Sequence, residues 1–88
     1  MKVLIFKDPV YFRDPENKER YEKAHAKINL DSVSFMVPGV PKKFLLTLQF
    51  EQINTTEYEK KGVTYVLNSG DIFYLTNEQI DNAEVKNY

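Results

Sequence analysis

Asp14-Pro15-Glu16-Asn17-Lys18-Glu19-Arg20-Tyr21-Glu22-Lys23-Ala24-His25-Ala26-Lys27-Ile28 carries the longest helical period in this 88-residue chain. Asp14 is suited to accept the orphan amides of a helix N-terminus, and Pro15 suits the first helical position. Tyr21, Ala24, His25 and Ile28 recur at i, i+3, i+4 and i+7, the spacing of one buried helical stripe. Glu16–Arg20 and Glu19–Lys23 are i,i+4 pairs with the acid leading, the favourable order. These features together predict a helix over about 15–28, ended by Asn29 to Asp31.

Outward from that segment the chain reads as strands and turns. Val3-Leu4-Ile5-Phe6 is an apolar, β-prone run stopped by Asp8-Pro9. Val10-Tyr11-Phe12 is a short apolar patch expected to pack without regular structure. Val33, Phe35 and Val37 alternate with Ser32, Ser34 and Met36, as in a half-buried strand. Pro38-Gly39-Val40-Pro41 has the chemistry of a type II turn. Phe44-Leu45-Leu46-Thr47-Leu48-Gln49-Phe50 has large apolar residues at every even position, which predicts a strand in a hairpin with Val33–Val37. After a turn at 52–55, Thr56–Glu59 and Val63–Leu67 form a second expected hairpin, with Gly62 at a positive φ. Ile72–Leu75 is a further strand. Thr76 with Gln79 matches a capping box before a short helix over 77–83, and the tail from Val85 adds an edge strand or frays. The fold expected is α+β, a single domain over 1–88. It has an N-terminal strand, one amphipathic helix, then a mostly antiparallel sheet of four to five short strands.

Composition narrows the chemistry. Twelve aromatics, six Phe and six Tyr, mean that large rings dominate the core. The chain has no Cys, so thiolate catalysis, disulfides and zinc–thiolate sites are excluded. His25 is the only histidine, which removes the Ser–His–Asp and His-rich metal constructions. The glycines at 39, 62 and 70 match turns and make no phosphate-cradling loop. The acids lack the spacing of a calcium loop. No catalytic, cofactor or metal residue is therefore assigned, and an enzyme is not expected. The N-terminal apolar run is too short for a signal peptide and nothing reaches the length of a membrane span, so a cytoplasmic protein is expected. On that footing Asn54-Thr55-Thr56 is a polar turn rather than a glycosylation site.

Two binding functions remain. The first is a protein-binding module acting by surface occupation: an inhibitor, adaptor or subunit, or a homodimer. Consecutive apolar residues on a strand cannot all face one core, so Tyr58, Tyr65, Phe73, Tyr74 and Leu45 are the candidate interface residues. Abundant Lys, Asn, Ile, Tyr and Phe is the usage of an AT-rich genome, and points this reading towards a phage or mobile-element product. The alternative is a nucleic-acid binder. Arg20, Lys23 and Lys27 would form a helix stripe, extended by Lys42 and Lys43, with sheet aromatics to stack bases. The net charge of −1 weighs against it, since phosphate neutralisation dominates such affinity. The two halves carry about +3 (1–44) and −4 (45–88), a mild polarity.

Overall fold

The computed structural model describes residues 1–16 and 20–88, and among them the chain is an α+β fold with two antiparallel sheets. The strands are β1 (Lys2–Ile5), β2 (Val10–Arg13), β3 (Glu22–Ala24), β4 (Lys27–Asn29), β5 (Val33–Pro38), β6 (Gly62–Leu67), β7 (Ile72–Thr76) and β8 (Glu84–Asn87). The helices are α1 (Lys42–Phe50), α2 (Thr56–Lys61) and α3 (Asn77–Asn82). One sheet has the order β4-β1-β8, the other β3-β2-β7-β6-β5.

The five-stranded sheet is buried on both faces at its centre. Because side chains alternate along a strand, Val10, Val63, Tyr65, Phe73 and Leu75 turn to one side. There they meet Leu4 and Ile28 from the three-stranded sheet and Phe6 just past the end of β1. Tyr11 and Tyr74 turn to the other side and meet Phe44 and Leu48 of α1 and Tyr58 of α2. This second cluster is aromatic: Phe44 stacks on Tyr74 at 4.5 Å and meets Tyr11, Tyr21 and Tyr58 edge-on at 5.2–5.5 Å. Consecutive apolar residues such as Phe73 and Tyr74 are thus each covered, by different layers.

Several expectations change. Among the described residues of 15–28, no helix is formed. Asp14 Oδ1 does accept the Glu16 amide at 2.9 Å, but in an Asx turn, whose local bond is the same as that of a helix cap. Glu22–Ala24 then pairs with β2, and Lys27–Asn29 with β1. The supposed stripe is split. Tyr21 packs among the aromatics, His25 is exposed between two strands, and Ile28 is fully buried between the sheets. A stripe of one Tyr, one Ala, one His and one Ile buries little. A short helix depends on such burial, whereas two strands satisfy the open edges of β2 and β1. The expected Glu19–Lys23 pair, and Asn17 and Lys18, lie outside the described residues.

Phe44–Phe50 is the reverse case, a helix where a strand was expected. Phe44 and Leu48 fit both a two-residue and a helical period. Leu46 at 54% exposure and Phe50 at 91% fit only the helix. Pro41 precedes it in an extended conformation. At its end Ile53 N–H donates to Leu48 C=O at 2.9 Å and Gln52 N–H to Gln49 C=O at 3.0 Å, a Schellman closure. Gln52 takes the left-handed φ of 63° that this closure requires. β5 consequently pairs with β6, not with 44–50.

Thr56–Glu59 is likewise helical rather than a hairpin strand. Its acids sit in the first turn and its lysines in the last, matching the helix dipole, and only Tyr58 is buried. Gly62 has φ −70°, not a positive value. It is glycine because a Cβ there would collide with the Tyr58 carbonyl oxygen. Val10–Phe12, expected to be irregular, lies within β2, and the Val85 tail is β8, paired with β1. The capping box forms as expected: Thr76 Oγ1 accepts from Gln79 N–H at 3.2 Å, and Gln79 Oε1 from Thr76 N–H at 3.0 Å. Gly39 and Gly70 have the positive φ their turns need.

Candidate interaction surface

The candidate interface residues from sequence do not form a surface. Tyr58, Tyr65, Phe73 and Tyr74 are buried and Leu45 is half-buried against the aromatic cluster. Burial raises the phenol pKa of Tyr11, Tyr65 and Tyr74. That of Tyr58 is pushed up to about 12, first by burial and then by the neighbouring Tyr11, against a hydrogen bond with Gln79.

The basic set is also dispersed. Arg20 is exposed in a loop, Lys23 lies on β3, Lys27 on β4 in the other sheet, and Lys42 and Lys43 start α1. Lys23 Nζ sits 5.1 Å from the centre of the Tyr11 ring, a cation–π contact on the aromatic cluster. The sheet aromatics Tyr11, Tyr65, Phe73 and Tyr74 are buried and offer no face on which a base could stack.

The fold leaves other apolar side chains uncovered. Phe35 (54% exposed), Met36 (56%) and Val37 (44%) are consecutive on β5, the edge of the five-stranded sheet. Leu46 and Phe50, one turn apart, form an outward stripe on α1. The exposure of Phe35–Val37 is masked in the sequence by an alternation that suggests a buried face, and that of Phe50 by the two-residue period of 44–50, which suggests a strand. The available signal was the want of any charge in Val33-Ser34-Phe35-Met36-Val37-Pro38.

Compared with the other sheet edges, β5 is unusual. β3 (Glu22-Lys23-Ala24), β4 (Lys27-Ile28-Asn29) and β8 (Glu84-Val85-Lys86-Asn87) are three or four residues long and each carries charge. Short length and charge are the ordinary protections against edge-to-edge association. β5 has six residues and none of that charge.

Among the described residues, two grooves flank this architecture. One of about 570 Å³ lies between the Phe6–Val10 segment and helices α2 and α3, lined by Asp8, Glu57, Glu78 and Lys7 among others. Among the described residues no group of three or more His, Cys, Asp or Glu could hold a metal ion. The second, about 410 Å³, runs beside the Pro38 end of β5, lined by Met36, Tyr65, Ile80, Lys60 and Lys61. Among the described residues, no helix is long and apolar enough to cross a membrane. No protein-family model, no curated protein and no solved structure matches the chain.

Proposed function

We propose that this protein is a non-enzymatic protein-binding module that works by occupying a partner's surface, with the β5 edge as its recognition element. The observation that carries this reading is the uncharged six-residue edge bearing Phe35, Met36 and Val37 in a row, all about half exposed. An extended edge supplies main-chain donors and acceptors for strand addition, while alternate side chains supply specificity. Leu46 and Phe50 on α1 are a second apolar element that a partner could cover. A role as inhibitor, adaptor or subunit, cytoplasmic and of phage or mobile-element origin, belongs to the same reading. The nucleic-acid alternative draws less support, because its basic residues are scattered and its aromatics buried.

The test is affinity capture with tagged wild type, Phe35→Asp, and a Leu46→Ser/Phe50→Ser double variant, all checked for unchanged circular dichroism. A protein retained stoichiometrically by wild type and lost with Phe35→Asp is the expected result. Equal retention by wild type and Phe35→Asp would remove β5 from the reading.

A further inference from the structure

We infer that the β5 edge takes a second copy of this chain, paired antiparallel about a two-fold axis at Met36; the inference rests on reading β5 as the recognition element. Backbone parity is the first argument. Gly39 N–H donates to Gly62 C=O at 2.6 Å, and the register continues through Val37↔Thr64, Met36↔Tyr65 and Phe35↔Val66. Hydrogen-bonded and non-bonded pairs alternate along an antiparallel ladder. Phe35 and Val37 therefore direct their N–H and C=O towards β6, while Met36 directs both away, to the open edge. A dyad at Met36 lets the two copies exchange both bonds reciprocally, as an isologous interface requires.

Neighbouring registers are worse. A dyad at Val37 makes Met36–Pro38 its innermost bonded pair, and Pro38 has no N–H to give, so no pair at the axis exchanges both bonds. In the Met36 register the same proline falls only at the outer Ser34–Pro38 pair. A dyad at Phe35 sets Met36 opposite Ser34, where the β5–β6 register shifts between Val33 and Phe35.

Side chains agree with the Met36 register. It places Phe35 of each copy opposite Val37 of the other, an aromatic against a β-branched side chain, a favourable cross-strand combination. Met36 meets its own counterpart. All three exposed apolar residues of β5 are then covered at once.

Charge is the argument for a copy of this chain over an unrelated strand. The two ends of β5 differ in sign. At the Val33 end lie Asp31 and Asp71, the latter held by Leu67 N–H donating to its carbonyl. At the Pro38 end lie Lys60 and Lys61, which line the groove beside Pro38, and Lys42 just beyond Pro41. Antiparallel pairing lays the acidic end of each copy towards the basic end of the other. Such complementarity fixes orientation and register more than it adds affinity.

Sedimentation equilibrium of the full chain over a micromolar-to-millimolar series tests this. A concentration-dependent dimer is expected for wild type. Met36→Lys, which sets two like charges together on the axis, is expected to be monomeric throughout while keeping the thermal midpoint that wild type has at dilutions where it is itself monomeric. Asp31→Lys, which alters both symmetry-related ends, is expected to weaken the dimer by about two- to thirtyfold, the worth of two exposed ion pairs. A wild type monomeric at every concentration, or a dimer indifferent to Met36→Lys, overturns the inference. If wild type is monomeric yet its capture of another protein is lost with Phe35→Asp, the second copy is refuted and the β5 reading stands. If neither dimerisation nor capture responds to β5 substitutions, both fail.

Discussion

Alanine substitution at Phe44, Leu46, Leu48 and Phe50, measured by guanidinium unfolding, probes the element on which the aromatic cluster depends. Phe44 and Leu48 are fully buried on the inner side of α1. Truncating a buried Phe costs about 3–5 kcal/mol and a buried Leu about 2–5 kcal/mol. Phe44 also stacks on Tyr74 and meets three other tyrosines edge-on. Aromatic pairs add about 0.5–1.5 kcal/mol beyond area, so Phe44→Ala belongs at the top of its range. An 88-residue domain has about 4–13 kcal/mol in total, so this variant will be largely unfolded if the protein lies at the lower end. Phe44→Leu keeps most of the apolar volume and is the variant to measure, at about 1–2 kcal/mol. Phe50→Ala removes a ring that is almost wholly in water and is expected to change stability by less than about 0.5 kcal/mol. Leu46→Ala, at a half-exposed position, is expected to cost less than about 1 kcal/mol. A strand with its even positions inward would lose several kcal/mol at all four sites. The assay therefore reads a pattern: midpoints fall for 44 and 48, barely move for 46 and 50, and the denaturant slope stays constant for the folded variants. A loss at Phe50 comparable to that at Leu48 would refute the helical placement.

Other consequences follow from individual contacts. Gln52→Gly is expected to stabilise the fold by about 0.5–1 kcal/mol in the same assay, since glycine holds the left-handed φ that Gln52 is forced into. Gly62→Ala is expected to cost about 1–3 kcal/mol despite an ordinary φ, because the new methyl meets the Tyr58 carbonyl; a neutral result would contradict that close approach. Thr76→Ala removes the capping box and is expected to cost about 1 kcal/mol, with the loss confined to one cap. Tyr58 gives a pH dependence. Its phenol loses a proton near 10 when unfolded and near 12 when folded, so its contribution to stability is constant below pH 10 and is lost as pH rises from 10 to 12. Tyrosinate absorbance and circular dichroism, followed together, are expected to change together in that window. Ionisation of all six tyrosines near pH 10 with the fold intact would show that Tyr58 is not buried.

The amino-acid sequence alone determined the features whose causes are local. The capping box at Thr76 and Gln79, the turns at Gly39 and Gly70, and the β-rich Val3–Ile5, Val63–Leu67 and Ile72–Leu75 segments depend on neighbours a few residues away, and they appear where expected. The α+β class and the antiparallel sheet were legible for the same reason. So was the removal of cysteine and multi-histidine chemistry, which composition settles.

Tertiary structure decided the segments whose local signals serve two conformations equally. The Asp14–Glu16 bond fits a helix cap and an Asx turn; Phe44 and Leu48 fit a strand face and a helix face. Propensity differences there are smaller than the energy of completing a sheet edge or burying a ring among four tyrosines, so long-range packing chose. The candidate surface was illegible for a related reason. Whether Tyr74 or Phe35 is exposed depends on how many layers cover each face of the sheet, and the layer over Tyr74 comes from Phe44, Leu48 and Tyr58, 16 to 30 positions away. Three layers hide the aromatics expected outside, and the last strand of the sheet is left with an apolar, uncharged edge.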